Sequence, residues 1–376
     1  MAHEPQSARK VRIGVLFGGR SAEHDVSLRS AQTIQAALNP EHYEVVPIGI
    51  TRTGQWISGG DPMAALTGAS PMFHLGTGED ASTETVDEAT QSELVSQAGS
   101  TSTASVPAAM SEGIDIVFPA LHGPMGEDGT VQGLLELAAV PYVGSGVLGS
   151  AAAMDKAITK TILEQAGLPQ LPWRLIRRKE WQAQPEEITQ WVSHNLGYPC
   201  FVKPANLGSS VGISKVHDVT ELAEAMEMAG SHDRRIVIEK GVDAREIELA
   251  VLGNDEPIVS VAGEVKPQGE FYDYNAKYVD DSAELIVPAK LDGDLLGYLQ
   301  GLAVDAFLAL DLAGLARVDF FVEKETDRVY INEVNTLPGF TSISMYPMLW
   351  EASGVPISEL VDRLIQLAHE RHRERA

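Results

Sequence analysis

Four charged or amide side chains near the end of the chain form the pattern with the clearest chemical meaning. Arg317 and Asp319 alternate along one apolar run, and Glu333 and Asn335 alternate along the next. Because side chains two apart on a β-strand share a face, each pair is expected to point to one side. Two carboxylates and an amide carbonyl are ligands that magnesium accepts, and magnesium in such sites usually bridges to substrate phosphates. The pattern therefore predicts a magnesium site.

The elements that must position these side chains are the two strands of one β-hairpin. Residues 318–322 and 329–334 are rich in β-branched and aromatic residues, and the polar segment between them supplies a turn. If that turn centres on Thr326, Asp319 lies opposite Glu333, and the arginine lies opposite the asparagine. Opposed carboxylates destabilise a hairpin unless positive charge lies between them. The alternative is a solvated hairpin face with an incidental acidic pair, since a one-residue slip would separate the faces.

The composition excludes several classes of partner. The chain has 376 residues, enough for two or three domains, and its 44% apolar and 22% charged residues are ordinary for a soluble globular protein. Its 53 acidic residues outnumber 28 basic ones, which gives a net charge of −25. Nucleic acid and anionic membranes are therefore poor partners, and any anionic ligand must be held by a few well-placed cations.

Two further features favour a cytosolic protein. No segment approaches the roughly 20 uninterrupted apolar residues of a membrane span. The single cysteine, Cys200, cannot form an intrachain disulfide, and the apolar run 198–202 around it indicates a buried, inert thiol.

Alternating strand and helix patterns predict three α/β units, with antiparallel pairs mixed into the third. The first unit covers residues 1–146 with a loose insertion at 54–112, the second covers 147–234, and the third covers 235–376. The second unit is expected to open with one long helix, 147–166. Strands outside the hairpin are predicted at 11–17, 43–50, 114–121, 200–204, 212–216 and 235–239.

Two glycine-rich segments are candidates for nucleotide binding. Residues 144–149 match the G-x-G-x-x-G pattern of dinucleotide sites, but the acid expected about 20 residues later, Glu164, falls inside a helix. Residues 202–212 form a Gly-Ser loop with Lys203 at its base, so backbone N–H groups and an ammonium could hold phosphates. An ordinary hairpin with an exposed lysine explains the second segment about as well.

Two loops that follow strands place polar groups where open α/β sheets bind ligands. Glu23 lies in the segment 18–25, and it is interpreted either as holding an ammonium group or as capping the next helix. His122 lies in the segment 121–129, where a structural hydrogen bond explains it as well as catalysis does.

Eight motifs, in order along nearly the whole chain, resemble those of the D-alanine:D-alanine ligases of the ATP-grasp superfamily. They are GGRSAEHDVS, LHGPMGEDG, MDK, VKPANLGSSVG, IEKGVDAREIE, FYDYNAKY, RVDFF and INEVNTLPGFTSISMYP. The resemblance implies an ATP-grasp fold, in which two α+β units clasp ATP and magnesium behind an N-terminal open α/β unit. It also implies that ATP phosphorylates the carboxylate of one D-alanine and that a second D-alanine then displaces phosphate, which makes D-alanyl-D-alanine for peptidoglycan.

The resemblance further implies roles for individual residues. Two Mg²⁺ or Mn²⁺ ions would be bound by Asp319, Glu333 and Asn335. The nucleotide would be contacted by Lys156, Lys203, Ser210, Glu239, Lys240, Glu246 and Lys277, with Glu239 and Lys240 beside the adenine and Glu246 at the ribose. The two D-alanines would be contacted by Glu23, His122, Arg317, Gly339, Ser344 and Met345. The catalytic residues would be Glu23, Ser209, Tyr278 and Arg317, with the arginine stabilising the tetrahedral oxyanion.

A closing loop is expected at 271–278, because water would hydrolyse the acyl phosphate in an open site. By resemblance, Lys277 would reach the γ-phosphate, and Tyr278 would hydrogen-bond toward Ser209 and Glu23. Relatives that use D-lactate generally lack this Lys-Tyr pair, so its presence favours an amine as the second substrate.

Three other interpretations stay open at the level of sequence. A ligase that joins D-alanine to D-lactate, or to another D-amino or D-hydroxy acid, is one alternative, and a Rossmann-type NAD-dependent dehydrogenase would use residues 144–149. A non-catalytic nucleotide-binding protein would keep the lysines but need neither Arg317 nor the closing loop. The resemblance also implies a homodimer. It assigns no role to the Ser/Thr-rich stretch 76–107, and it leaves open whether a monovalent cation assists.

Overall fold

The computed structural model describes residues 9–68, 102–103, 113–208, 210–267 and 283–375, which form three β-sheets with helices packed on them. The strands are β1 Val11–Gly18, β2 Tyr43–Ile50, β3 Trp56–Ser58, β4 Ser102–Thr103, β5 Ile116–Pro119, β6 Trp173–Arg177, β7 Cys200–Pro204, β8 Ser214–Val216, β9 Arg235–Lys240, β10 Ala244–Gly253, β11 Ile258–Pro267, β12 Ala283–Ile286, β13 Gly314–Glu323 and β14 Val329–Asn335. The helices are α1 His24–Ala37, α2 Pro62–Thr67, α3 Thr130–Leu137, α4 Val147–Met154, α5 Lys156–Gln165, α6 Arg178–Ala183, α7 Pro185–Asn195, α8 Leu222–His232, α9 Gly293–Ala309, α10 Met345–Ala352 and α11 Ile357–Arg375. Within the described ranges, no helix combines the length and apolar character needed to cross a membrane.

The N-terminal sheet has the strand order β4-β3-β2-β1-β5, and β1 pairs in parallel with both β2 and β5. The loops that follow β1 and β5 therefore meet at one edge of the sheet, and they carry Glu23 and His122. The prediction of a loose insertion from residue 54 is wrong at its start, because β3 pairs with β2 and buries Ile57. A strand of three residues is too short to show alternation in the sequence, so only its pairing reveals it.

The central sheet has the order β6-β9-β7-β8, and all neighbouring strands are antiparallel. Strand β9 pairs with β6 and β7, so the predicted unit boundary between residues 234 and 235 is wrong. This strand completes the central sheet instead of opening the third unit. The boundary depends on long-range pairing, which the local pattern of β9 does not contain.

The single helix predicted for residues 147–166 is two helices, α4 and α5, which are separated at Asp155. Asp155 has an extended backbone, with φ −89° and ψ 106°, and its side chain accepts hydrogen bonds from the N–H groups of Ala157 and Ile158. It also pairs with Arg235 of the central sheet. These bonds compensate the backbone donors that the break exposes, so the chain can turn there at low cost.

The C-terminal sheet is antiparallel, with the order β12-β11-β10-β13-β14. Helix α9 packs Leu299, Ala303 and Phe307 on one face. Helices α10 and α11 cover the other face and share one continuous core with the N-terminal sheet. The central sheet has a separate core with α7 and α8. The candidate site lies where the central unit meets the block formed by the other two.

Candidate active site

Two adjoining cavities lie among the three sheets. The large cavity has a volume of about 760 Å³, within the roughly 300–1,000 Å³ of typical ligand pockets, and it is lined by the central and C-terminal sheets. The small cavity, of about 140 Å³, adds the loops of the N-terminal sheet and residues 333–339. Ser210, Glu248 and Glu333 line both cavities, so a ligand in one would reach a ligand in the other.

The structure confirms the predicted pairing of the hairpin. Asp319 lies opposite Glu333, and Arg317 lies opposite Asn335. Nε and Nη2 of Arg317 each donate to one carboxylate oxygen of Asp319 at 2.7 Å. Nδ2 of Asn335 donates to Oδ2 of Asp319 at 3.0 Å. The face carries charge and is nearly buried, so it is not the solvated face of the alternative interpretation.

A third acid, Glu248, joins these residues from the neighbouring strand β10. It lies opposite Asp319, and its Oε2 is 3.0 Å from Nε of Arg317. We call Arg317, Asp319, Glu248 and Glu333 the acidic cluster. Burial, together with Glu248 and Glu333, raises the pKa of Asp319 to about 7 despite the opposing effect of Arg317. The sequence reasoning missed Glu248, although its alternation with Glu246 was an available signal.

The acidic cluster suits a divalent cation by its donor atoms and its excess negative charge. Asp319 and Glu333 offer carboxylate oxygens, and Asn335 offers an amide oxygen, all of which are hard ligands. In the part of the chain that the structure describes, no three His, Cys, Asp or Glu side chains are arranged as a metal site. Because the oxygens of Asp319 are bound to Arg317 and Asn335, a cation would have to displace these donors.

A second ion-pair cluster, of opposite net charge, lies at the same large cavity, which two of its members line. Lys203 of β7 donates to Glu239 of β9 at 2.8 Å, and Lys160 of α5 binds the other carboxylate oxygen. We call these three buried residues the basic cluster. Burial alone would raise the pKa of Glu239, but the two lysines hold it below its ordinary value. Burial lowers the pKa of Lys160, whereas at Lys203 the pairing with Glu239 outweighs burial and raises the pKa.

The residues predicted to contact a nucleotide mostly surround the large cavity. Its lining includes Lys203, Ser210, Glu239, Lys240 and Glu246. Lys156 lines the small cavity instead, and its Nζ donates to the carbonyl of Leu207 in the Gly-Ser loop. Lys160 was not predicted. Its spacing of four residues from Lys156 on one helix was the signal that could have found it.

Two acids from the N-terminal unit meet at the small cavity. A Cβ atom placed at Gly208 would lie 3.5 Å from Oε2 of Glu23 and 3.8 Å from Oε1 of Glu127, so the Gly-Ser loop passes beside both. Glu127, which was not predicted, accepts a hydrogen bond from the N–H of Gly123 at 2.9 Å. Burial and the neighbouring Glu23 raise the pKa of Glu127 to about 8. Glu127 therefore holds a proton at neutral pH.

His122 is held from both sides of its ring. Nε2 lies 3.0 Å from Oγ of Ser30, and Nδ1 lies 2.9 Å from the carbonyl of Leu337. Burial lowers the pKa of His122, so the ring is neutral at pH 7. The ring lines the small cavity, but a direct polar contact with a substrate, as predicted, requires one of these bonds to be exchanged.

The predicted seat of the second substrate lies at the start of helix α10. Ser344 is the N-cap residue of this helix, and its Oγ accepts a hydrogen bond from the N–H of Thr341 at 3.0 Å. A Cβ atom at Gly339 would lie 2.8 Å from that Oγ, so a larger residue would crowd the site. Gly339, Ser344 and Met345 all line the small cavity. The N-terminus of a helix favours a carboxylate.

Some predicted residues lie outside the described part of the chain. They are Ser209, Lys277 and Tyr278, together with the whole closing loop 271–278. The stretch 76–107 also lies outside it, apart from strand β4. The roles assigned to these residues stay predictions.

The G-x-G-x-x-G segment 144–149 lies against the C-terminal helix. A Cβ atom at Gly146 would lie 3.2 Å from Nη2 of Arg375 and 3.3 Å from Nη1 of Arg371. Glu164 lies inside helix α5, away from any strand end. Because side chains already cover the loop and the acid is misplaced, the geometry does not favour the dinucleotide interpretation.

Comparison with known families decides where the chain belongs. The family described as D-ala D-ala ligase N-terminus matches residues 12–145, and the one described as D-ala D-ala ligase C-terminus matches residues 162–366. The chain belongs to the D-alanine–D-alanine ligase family. The ATP-grasp fold of this family, with its N-terminal open α/β unit, is confirmed by the three sheets and by the solved structures described next.

Relatives are similar along nearly their whole length. A D-alanine–D-alanine ligase from Geobacillus thermodenitrificans (strain NG80-2) is 50% identical, with 97% of both chains covered. One from Bacillus licheniformis is 48% identical, with 97% of this chain and 98% of the relative covered. The solved D-alanine–D-alanine ligase from Coxiella burnetii has a TM-score of 0.79 at 36% identity, covering 98% of this chain and 96% of its own. VanG D-Ala:D-Ser ligase from Enterococcus faecalis has a TM-score of 0.78 at 34% identity, covering 96% and 100%.

Proposed function

We propose that this chain joins two D-alanines to D-alanyl-D-alanine with ATP, through a D-alanyl phosphate. One observation supports the proposal most. The acidic and basic clusters both contribute side chains to the lining of one cavity, and that cavity adjoins a second one bounded by Glu23 and the N-terminus of helix α10. The first cavity suits nucleotide phosphates and their cations. The second offers a carboxylate for an ammonium group and a helix N-terminus for a carboxylate, as two amino-acid substrates require.

The proposed reaction has two steps. A carboxylate oxygen of the first D-alanine attacks the γ-phosphorus of ATP, so a new O–P bond forms and the bond to ADP breaks. The uncharged amine of the second D-alanine then attacks the acyl carbon, the amide bond forms, and phosphate leaves with the electron pair of the acyl C–O bond. The surplus amine proton passes to phosphate or solvent.

The basic cluster is proposed to receive the nucleotide phosphates. It holds two cations and one anion, so a phosphate would restore its charge balance. We assign Lys203 and Lys156 to the phosphates, together with Ser210 of the Gly-Ser loop. The remaining nucleotide assignments are Glu239 and Lys240 beside the adenine and Glu246 at the ribose.

The acidic cluster is proposed to receive the metal ions. Asp319, Glu333 and Asn335 would hold two Mg²⁺ or Mn²⁺ ions, which when bound neutralise the negative charge between the substrate carboxylate and the γ-phosphate. Arg317 lies in the same cluster, and the carboxylates Asp319 and Glu248 keep its pKa well above the ordinary value despite its burial. A permanent guanidinium charge at this point can stabilise the tetrahedral oxyanion of the second step.

The small cavity is proposed to receive the two D-alanines. Glu23 would bind the ammonium group of the first. Ser344 and the backbone N–H of Met345 would bind the carboxylate of the second, while Gly339 leaves the space that the substrate needs. Ser209, Lys277 and Tyr278 are proposed to complete the site when the loop closes.

D-Alanine is the preferred second substrate in this proposal. Relatives about 50% identical along nearly the whole chain carry the name D-alanine–D-alanine ligase, so the D-lactate alternative is not favoured. We place the enzyme in the cytoplasm, where precursors of peptidoglycan are assembled. We also propose a homodimer, which light scattering would detect as about twice the chain mass of 40.4 kDa.

The test is magnesium-dependent phosphate release from ATP, with products identified by mass spectrometry. The arms are D-alanine, L-alanine, D-alanine with D-lactate, and D-alanine with D-serine. We expect phosphate and a dipeptide mass with D-alanine alone and neither with L-alanine. Equal release with L-alanine, or ATP binding without any dipeptide, would overturn the proposal and favour a different ligase or a non-catalytic nucleotide-binding protein.

A further inference from the structure

A closed chain of hydrogen bonds joins the N-terminal unit to the segment that precedes the second-substrate seat. The N–H of Phe340 donates to Oγ of Ser30 at 3.1 Å. Ser30 Oγ lies 3.0 Å from Nε2 of His122, whose Nδ1 lies 2.9 Å from the carbonyl of Leu337. This hydrogen-bond chain therefore begins at Phe340 and ends at Leu337, so both of its ends lie in the segment 337–340. Gly339 lies between the two anchored positions.

The donors and acceptors assign the direction of every bond. Leu337 offers a carbonyl, so Nδ1 of His122 must carry the hydrogen that is shared there. In a neutral ring Nε2 is then an acceptor, and the single hydroxyl hydrogen of Ser30 points to it. The oxygen of Ser30 remains free to accept from Phe340. Every polar group of this hydrogen-bond chain has a partner only when His122 is neutral. This agrees with the pKa of His122, which burial lowers.

Both side chains of this hydrogen-bond chain are buried. Ser30 is 0% exposed and His122 is 6% exposed, so water cannot replace a lost partner easily. Leaving a buried donor or acceptor unpaired costs more than the bond itself contributes. The backbone at residues 337 and 340 is consequently anchored to helix α1, the helix whose N-terminus carries Glu23. Helix α1 thus carries Glu23 for the first substrate position and Ser30 next to the second.

We propose that Ser30 is a positioning residue for the seat of the second D-alanine, acting through His122 and the backbone of residues 337–340. It touches neither substrate in this proposal. It holds Leu337 and Phe340 so that Gly339 and Ser344 present a fixed surface to the incoming substrate. The inference rests on the proposed function, since it concerns the second of two D-alanines.

The chain offers a matched control at Ser27. This serine is one turn earlier on helix α1 and is also 0% exposed. Its Oγ accepts from the N–H of Gly18 at 2.7 Å and donates to the carbonyl of Ala120. Both partners belong to the N-terminal unit. Ser27→Ala therefore removes a buried hydroxyl with two bonds, as Ser30→Ala does, but without touching the segment 337–340.

The experiment compares Ser30→Ala, Ser27→Ala and the unaltered protein in two assays. Dipeptide formation over a wide range of D-alanine gives the KM of each substrate position. Hydroxylamine trapping of the acyl phosphate as D-alanine hydroxamate, at D-alanine concentrations far below the KM of the second position, measures the first step with that position largely empty. For Ser30→Ala we expect the KM of the second D-alanine to rise about five- to ten-fold, the size of one or two lost hydrogen bonds, with hydroxamate formation nearly unchanged. Ser27→Ala should lower the melting temperature similarly and leave both KM values unchanged.

Hydrogen exchange supplies a readout that does not depend on activity. The amide of Phe340 should lose protection in Ser30→Ala and keep it in Ser27→Ala. If Ser30→Ala does not fold, Ser30→Cys provides a weaker acceptor in the same place and should shift both readouts in the same direction by a smaller amount.

Each outcome decides the inference. Equal KM values in Ser30→Ala and the unaltered protein, with dipeptide still made, overturn the positioning role and leave the proposed function standing. Equal changes in both serine variants also overturn it, because they indicate a general loss of packing. If the unaltered protein makes no dipeptide, the proposed function fails, and the inference fails with it.

Discussion

The two ion-pair clusters of the large cavity are built from the same kinds of bonds but have opposite charge balance. The basic cluster places one carboxylate, Glu239, between Lys160 and Lys203. The acidic cluster places one guanidinium, Arg317, between Asp319 and Glu248, with a further carboxylate nearby. The basic cluster is buried and the acidic cluster is largely buried, so water screens the charges of both only weakly. One has a cation in excess and the other has anions in excess.

This difference shows how a site can be arranged to bind a ligand that carries negative charge together with positive metal ions. A nucleotide phosphate compensates the basic cluster, and the metal ions that accompany it compensate the acidic cluster. In the absence of both, the imbalance shows in the protons. The pKa of Lys160 is lowered by burial, and that of Asp319 is raised by burial to about 7. Each shift favours the neutral form of its group, and a bound phosphate or metal ion would favour the charged form again.

The largest expected effect comes from the acidic cluster. Glu333→Gln removes a metal ligand charge while keeping the shape of the side chain, so we expect turnover to fall by about 10³-fold or more. The circular dichroism spectrum should stay that of the native fold, and the stabilisation by Mg²⁺-ATP in a thermal melt should largely disappear. Near-normal activity would show that the metal assignment is wrong.

Glu239→Gln tests the basic cluster through its effect on folding stability. It leaves Lys160 and Lys203 buried without a counter-charge, which typically costs about 3–5 kcal/mol of folding free energy. Denaturant unfolding measures this loss. The folded pKa of Glu239 lies below its unfolded value, so its stabilisation is present above about pH 4.5 and disappears as the pH falls further. The variant should therefore lose less stability than the unaltered protein on acidification below pH 4.5, and parallel pH profiles would contradict this account.

Lys160→Met removes the excess cation and keeps most of the apolar stem. Glu239 then pairs with Lys203 alone, so the cluster is neutral, and the KM for ATP should rise about ten-fold because the excess positive charge that attracts the phosphates is lost. Stability should change little, because the burial that lowers the pKa of Lys160 is also relieved. Lys179→Met is the matched control, since it also removes a lysine from the central unit but one whose side chain is exposed on helix α6. An unchanged KM in Lys160→Met would remove the cluster from the nucleotide site.

The smallest effect, at acidic pH, is expected at Glu127, which lines the small cavity but belongs to neither cluster. Burial and Glu23 raise its pKa to about 8, so it is already uncharged at pH 7, and Gln reproduces its protonated form. Glu127→Gln should change stability by less than about 1 kcal/mol below about pH 4.5, where the glutamate is uncharged in both the folded and the unfolded protein. Because the folded pKa is raised, the unaltered protein should lose stability relative to the variant as the pH rises from about 4.5 to 8. Melting temperatures that run parallel across this range would contradict the assignment of a neutral Glu127.

The hairpin of β13 and β14 shows how much of a site can be predicted from the sequence. The alternation of Arg317 with Asp319 and of Glu333 with Asn335 predicts the observed pairing. The strands nevertheless reach this register through a feature that the sequence does not show. The turn closes with Val322 opposite Val329, and a one-residue bulge beyond Asp319 then restores the pairing of Asp319 with Glu333. Without the bulge, Glu333 would point to the other face.

The residues that sequence reasoning missed share one property. Glu248, Lys160 and Glu127 each become part of the site only through contacts with residues distant in the chain. Local periodicity predicts well where a strand lies, as at 43–50 and 200–204, because alternation is a property of neighbours. It could not place β9 in the central sheet, because that pairing depends on strands far along the chain. The helix break at Asp155 combines a local N-cap with an ion pair to the distant Arg235, and only the first of these has a local signal.

The sequence by itself determined the family, the fold and the chemical types of the site residues, because these are carried by motifs whose spacing is local. The charge of −25 and the few basic residues also followed from composition alone. Only the tertiary structure decided the charge balance of the two clusters, the neutral state of His122 and the anchoring of residues 337–340 to Ser30. Burial and hydrogen-bond partners set those properties, and both exist only once distant segments have packed together.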